Sequence, residues 1–265
     1  MPRPLFEGGL INIGHCANWF HFDDVVSTQD TARQLLSRGR SCGRAVVMAD
    51  RQTGGRGRGG KSWTSLPGGL WMTVVLPLHP GFERRGLYPL AVGIAAVDAV
   101  DEIAGCAPDL KWPNDLLVGG AKLGGILCET SGSHLLAGVG INVGVDLSAI
   151  PRVPGSMPPA NFAALTGEDL PDGHGTTKRL ATALVHHLFL WEPKIGCAPD
   201  SIIDAWSTRS SMMGRVVDVI EGGSTYWAVV CGLDPSGGLI VEDSTGSTRT
   251  LNSAEVSLRI PGGSE

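Results

Sequence analysis

The sequence predicts an α+β protein in two parts, a larger region of strands and helices followed by a small all-β barrel. Three observations carry this expectation. The strand-like runs AVVMAD, from Ala45, and LWMTVVLPL, from Leu70, flank a glycine-rich loop. A long apolar helix pattern, LYPLAVGIAAVDAVDEIAG, follows and ends at Gly105. After Met213 the text changes to short alternating strands separated by glycine-rich turns. With 265 residues, 42% of them apolar, the chain can bury a large core. The expected units are 1–212 and 213–265.

Taken in order, WFHFDDVV from Trp19 alternates enough to be a strand. Ser27 and Asp30 then open an amphipathic helix carrying Ala32, Leu35 and Leu36. Ser27 and Thr28 sit at this junction, where capping alone would explain them. The strand AVVMAD leads into QTGGRGRGGKSW, Gln52 to Trp63. Glycines at 54, 55, 57, 59 and 60 let backbone N–H groups turn toward an anion. Arg56, Arg58 and Lys61 add positive charge, and Trp63 offers a flat face for a purine. A solvated flexible loop or an RGG-type RNA tract has similar composition. The loop occurs once, however, and between apolar runs, which favours a site mounted on a sheet.

Beyond the long helix, DLKWPNDLLVGGAKLGGILCET reads as a strand, a tight GG turn and a second strand. It gathers Lys111, Asn114, Asp115 and Lys122, and Pro113 inside its first strand implies a sheet edge or a bulge. HLLAGVGINVGV is a further strand ending near Asn142, which by itself would simply satisfy backbone groups. The Pro- and Gly-rich text from Ser148 to Asp172 reads as a loop-rich insertion. TTKRLATALVHHLFLWEP and PDSIIDAWSTRSSM are helices, and His186 and His187 on the first are read as structural.

Charge and cysteine usage narrow the function. With 26 acidic against 21 basic residues the net charge is -5, which argues against nucleic acid as the main partner. No run approaches a membrane span, no signal peptide is evident, and the six cysteines form no CxxC motif, so a cytoplasmic protein with reduced thiols is expected.

The motifs GRGRGGKSW, KWPND, AKLGGIL and GVGIN, in this order, together resemble those of the biotin protein ligases, the holocarboxylase synthetases. STQD stands where that family has Ser-Thr-Asn, and CGLDPSGGLIV and EVSLR extend the similarity into the C-terminal part. The resemblance implies a mixed sheet like that of the class II aminoacyl-tRNA synthetases with an SH3-like barrel appended. It implies activation of biotin by MgATP to biotinyl-5′-adenylate, then transfer to a lysine of a biotin carboxyl carrier protein. Carried over by motif, Ser27, Thr28, Gln52, Gly55, Arg56 and Lys122 would surround biotin. Arg58, Lys61, Trp63, Asn114, Asn142 and Arg259 would serve ATP and the adenylate, with Lys122, Arg58, Lys111 and Asp115 as the catalytic set. Lipoate or octanoate ligation is the runner-up, disfavoured because an apolar acyl chain has no use for ureido partners. A non-catalytic nucleotide- or RNA-binding protein is the alternative from another class. Expected partners are the carrier domain, with no DNA, no membrane, and a weak or ligand-dependent homodimer. Only about twenty residues precede the first expected strand, too few for a helix-turn-helix. Two positions depart from the family pattern: Gln29 replaces Asn, and Lys61 replaces Arg.

Overall fold

The computed structural model describes residues 6–12, 15–39, 43–78, 84–167, 173–221, 223–252 and 256–259, of which 6–12, 15–17, 173–174 and 256–259 are described by their backbone alone. Eight strands form one mixed sheet: β1 (Phe6–Asn12), β2 (His15–Val25), β3 (Ala45–Gln52), β4 (Leu70–Pro77), β5 (Asp109–Lys111), β6 (Asp115–Val118), β7 (Ala121–Ser131) and β8 (His134–Ile141). Their order is β1-β2-β3-β4-β8-β7-β6-β5. Only β2 and β3 run parallel, because helix α1 (Thr28–Ser37) carries the chain back between them; every other neighbouring pair is antiparallel. The strand β1, with two glycines in seven residues, has no counterpart in the sequence reading.

Alternation along β8 shows how the sheet is used. Leu135, Ala137, Val139 and Ile141 join the main core with α2 (Leu87–Ala104) and α4 (Gly173–Trp191). Leu136 instead joins a smaller cluster with Phe20, Phe22, Val47 and Leu35 beneath α1. Further along this second face the residues shrink to Gly138 and Gly140, and there the sheet is left for something other than core packing. The helix α2 is apolar nearly all round because it lies between the sheet and the helices α4 and α6 (Pro199–Arg209). It stops at Gly105, whose φ of 71° provides the left-handed C-cap.

The expected two-stranded hairpin after α2 has three strands. A cis Trp112–Pro113 bond turns the chain between β5 and β6, so Lys111 faces Asp115 across the sheet rather than preceding it along one strand. The edge position expected from Pro113 is present, since β5 ends the sheet, and a bulge follows between Leu116 and Leu117. Gly119 and Gly120, both at positive φ, form the tight turn into β7. The insertion holds a short helix, α3 (Ala163–Thr166), and α5 (Lys194–Cys197) joins α4 to α6.

The C-terminal strands β9 (Val216–Glu221), β10 (Ser224–Leu233), β11 (Leu239–Asp243), β12 (Thr248–Leu251) and β13 (Val256–Arg259) form a separate antiparallel sheet in the order β12-β11-β10-β9-β13. It is sewn to the main body. The turn after β10 lies so close to the start of α2 that a Cβ on Gly86 would meet Ser236 O at 2.3 Å. Trp112 Nε1 donates to Gly237 O at 3.1 Å. Val217, Val219, Ala228 and Val241 belong to the same apolar cluster as α2.

Candidate functional site

The site is assembled on the face of the sheet that β8 leaves bare. Three arms converge on it: the N-terminal end of α1, the glycine/arginine loop after β3, and the β6–β7 hairpin. The polar network at the first arm begins with Ser27, which occupies the N-cap position and accepts the Thr31 N–H through its carbonyl at 3.0 Å. Its side chain makes no cap bond, so capping does not account for it. Gln52 Oε1 accepts from Thr28 N at 2.8 Å and Thr28 Oγ1 at 3.2 Å, while Gln52 Nε2 donates to Ser65 Oγ at 2.8 Å. Thr73, on β4 and fully buried, donates to Thr28 Oγ1 at 2.9 Å. Donors and acceptors here are held in fixed directions, as recognition of a small polar ring requires.

The loop itself is a hairpin on a short 3-10 turn, Arg58–Gly60. Gly57 N–H bonds Lys61 O at 2.7 Å and Trp63 N–H bonds Gly55 O at 2.9 Å. Gly55 must be glycine, since a Cβ would meet Trp63 O at 2.5 Å and Ser65 Oγ at 2.7 Å. This hairpin lays the Trp63 indole over two glycines of the sheet, Gly140 on β8 and Gly125 on β7. A Cβ on Gly140 would lie 2.9 Å from Trp63 Nε1, and one on Gly125 would lie 3.3 Å from the far edge of the same ring. Trp71 meets the indole edge-on with centroids 6.3 Å apart.

Around the indole the cations gather. Lys122 Nζ stands 5.2 Å from the Trp63 ring centroid and pairs with Asp115 Oδ1 at 2.6 Å. Arg58 Nη1 donates to Asn114 Oδ1 at 3.2 Å, and Asn114 Nδ2 is fixed by Ile126 O at 2.8 Å. Burial pulls the Arg58 guanidinium below its ordinary value, and Asp115 works against that pull. Two cations close to one carboxylate leave net positive charge, which suits a polyphosphate. Lys111 lies opposite Asp115 with Nζ 3.5 Å from Met157 Sδ. Asn142 follows Gly138 and Gly140 at the next alternate position and donates through Nδ2 to Ala160 O at 2.9 Å.

The remaining candidates are Arg56, Lys61 and Arg259. Arg56 is engaged with Asp30 by two bonds of 2.7 Å, Arg56 Nη1 to Asp30 Oδ2 and Nη2 to Oδ1. Hydrogen bonding from Arg56 holds the Asp30 carboxyl below the usual carboxylate range, against its partial burial, with further help from Arg33. Lys61 is exposed, and its ammonium group has no hydrogen bond or ion pair among the described residues. Arg259 lies on β13 opposite Asp218, and its side chain falls outside the described part.

Sequence reasoning missed Ser65 and Thr73, the ordinary hydroxyls that complete the Thr28–Gln52 network. It also missed the stretch 157–160, which runs beside β7 through Lys122 N to Pro158 O at 2.7 Å and Ala160 N to Lys122 O at 2.8 Å. The departure Gln29 is explained by geometry. Its longer amide reaches across β8 to donate to Leu127 O at 2.8 Å and Leu136 O at 3.3 Å, over the space Gly138 leaves.

Comparison with known proteins places the chain among its relatives. The model of the biotin/lipoate A/B protein ligase family matches residues 23–146, and that of the biotin protein ligase C-terminal domain matches residues 213–259. The chain is 30% identical over 265 residues to a biotin–[acetyl-CoA-carboxylase] ligase of Mycobacterium tuberculosis, covering 96% of this chain and 95% of that protein. It is 32% identical over 224 residues to the enzyme of the same name from Paracoccus denitrificans, covering 81% and 90%. A solved structure of the Aquifex aeolicus biotin protein ligase in complex with biotin and ATP superposes with a TM-score of 0.73 at 27% identity, over 91% of this chain and 98% of that one. The chain belongs to the biotin protein ligase family.

Proposed function

We infer that this chain is a biotin protein ligase that joins biotin to ATP and passes the biotinyl group to a lysine of a carboxylase's biotin carrier domain. One observation carries the reading. Among the described residues, the buried side-chain polar atoms without a partner are Gln29 Oε1, Trp63 Nε1 and Asn142 Oδ1, and all three border the same bare strip of sheet. Buried polar atoms are rarely left unpaired, so this strip is built for a polar ligand.

In this reading the ring of biotin lies against Ser27, Thr28, Gln52 and Gly55, with Arg56 beside them. Its carboxylate points toward Lys122. The nucleotide lies across Trp63, with Asn114 and Asn142 on the base side and Arg58, Lys61 and Lys122 toward the phosphates. A biotin carboxylate oxygen attacks the α-phosphorus and the bond to pyrophosphate breaks. The cations offset repulsion between carboxylate and phosphate, which is the main obstacle to this step. Afterwards a carrier lysine amine attacks the biotinyl carbonyl carbon and AMP leaves. Lys111 and Asp115 shape the field around Lys122, Asp115 by direct pairing.

Mg²⁺ belongs to this reading as the companion of the triphosphate. Asp115, the carboxylate set among the cations of the site, would hold the ion, which when bound would neutralise phosphate charge. The larger unit, 1–212, is read as the counterpart of a class II synthetase catalytic domain, and 213–265 as an SH3-like barrel that carries Arg259. Among the described residues no helix is long and apolar enough to cross a membrane. The test is ATP–pyrophosphate exchange. Exchange should depend on biotin and be weaker with lipoate by about 10⁴, because the buried polar groups would go unpaired. Equal turnover of the two acids would refute the assignment.

A further inference from the structure

We infer that Asp30 is a positioning residue for Arg56, the outer end of a charge chain that holds the substrate loop to the sheet before ligand arrives. The chain runs through four side chains of alternating sign. Glu129 Oε2, on β7, accepts from Arg33 Nη2; Arg33 Nη1 donates to Asp30 Oδ1 at 2.8 Å; and both oxygens of Asp30 accept from Arg56 at 2.7 Å. Asp30 and Arg33 stand one helical turn apart on α1, so one helix face carries the link from the sheet to the loop. None of these contacts depends on biotin or nucleotide.

Geometry gives the arrangement its consequence. Bonding through both Nη atoms fixes the guanidinium plane and still leaves Nε–H and one N–H on each Nη pointing elsewhere. Arg56 therefore stays available to a ligand while its direction is set by Asp30. Exposed ion pairs contribute little to stability, and with Arg56 and Asp30 each about one-third exposed the pair matters chiefly for orientation. The two arms of the site, α1 with Ser27 and Thr28 and the loop with Gly55 and Arg56, are thereby locked at one separation. Preorganisation of this kind lowers the ordering cost that binding would otherwise meet.

This inference rests on the ligase reading for the identity of the ligand, and the experiment separates the two. In the full-length protein, Asp30→Asn should raise the KM for biotin about tenfold and leave unchanged the rate of biotinyl transfer from preformed biotinyl-adenylate to the carrier. In ligand-free protein the amides of Gly57 and Trp63 should exchange about tenfold faster. Asp30→Glu should restore most of both effects, and Arg33→Ala should show a smaller change in the same direction. Wild-type KM and wild-type exchange protection in Asp30→Asn would overturn the proposal, as would a parallel fall in kcat and melting temperature that Asp30→Glu fails to rescue. If the wild-type protein shows no biotin-dependent turnover, the ligase reading fails, and the ligand-free exchange comparison still decides the tether.

Discussion

Gly140→Ala tests whether the indole of Trp63 works where the fold places it. The added methyl would lie 2.9 Å from Nε1, 3.0 Å from Cε2 and 3.2 Å from Cζ2 of that ring. Ordinary carbon contacts fall at about 3.5–4.0 Å, so the ring must retreat by roughly 0.5–1 Å. Retreat is resisted on two sides, because the Trp63 backbone N–H is tied to Gly55 O at 2.9 Å and the ring edge packs on Trp71. Overpacking of this kind costs about 1–3 kcal/mol, and for a chain of this size each kcal/mol lowers Tm by about 2–4 °C. The larger effect should be on activity, since a misplacement of about 1 Å is enough for a roughly hundredfold loss. The measurements are thermal melting and biotin-dependent pyrophosphate exchange, with Gly196→Ala as a control because no atom lies within 4 Å of its added methyl. Exchange at the wild-type rate in Gly140→Ala would show that Trp63 does not rest on Gly140 during the reaction, and the stacking role would fall with it.

Other outcomes follow from the same geometry. Lys122→Ala should lower adenylate formation by about 10²–10³ with little change in melting temperature, because its pair with Asp115 is partly exposed; single-turnover kinetics with labelled biotin read this, and a loss below fivefold would remove Lys122 from the chemistry. Lys61→Ala should leave stability unchanged yet slow adenylate formation and speed its leakage, while Lys61→Arg is tolerated; formation and retention as in wild type would strike Lys61 from the site. Burial pushes the Cys128 thiol up to about 12, with Glu129 adding to the rise. At pH 8 its thiolate fraction is then about 10³ lower than that of an ordinary thiol, so iodoacetamide should modify the exposed Cys197 and Cys231 first, and equal labelling in peptide mass spectra would contradict this.

What the sequence made legible follows from which interactions are local. The long helix and its end at Gly105 were readable because apolar periodicity and a C-cap glycine are written within twenty residues. The loop was readable because five glycines and three cations in twelve positions exclude core structure. By contrast, β1 is a strand through pairing with β2 and not through its own composition. The break at Pro113 showed as an edge, but its consequence, Lys111 facing Asp115, depends on a turn that spacing does not specify. The missing members of the site are distant partners. Thr73 reaches Thr28 across 45 residues and Glu129 reaches Arg33 across 96, and neither carries a pattern of its own. Asn142 Nδ2 satisfies backbone at Ala160, the ordinary role for a lone Asn at a strand end, but only the fold shows Oδ1 left over.

The seam between the two sheets bears on how the protein folds. Trp112 is buried with one edge bonded to Gly237, its neighbour Pro113 makes the turn, and the next residue, Asn114, holds Arg58. The small C-terminal sheet therefore supplies one wall for the β5–β6 pair, which carries Lys111 and Asp115. Removing it would leave Trp112, Met212 and the start of α2 facing water, and the β5–β6 turn would lose an anchor two residues from Asn114, which bonds Arg58. Because both sheets pack into one apolar cluster, the stability of the smaller one is tied to that of the larger, and a chain lacking its last fifty residues lacks one wall of the candidate site.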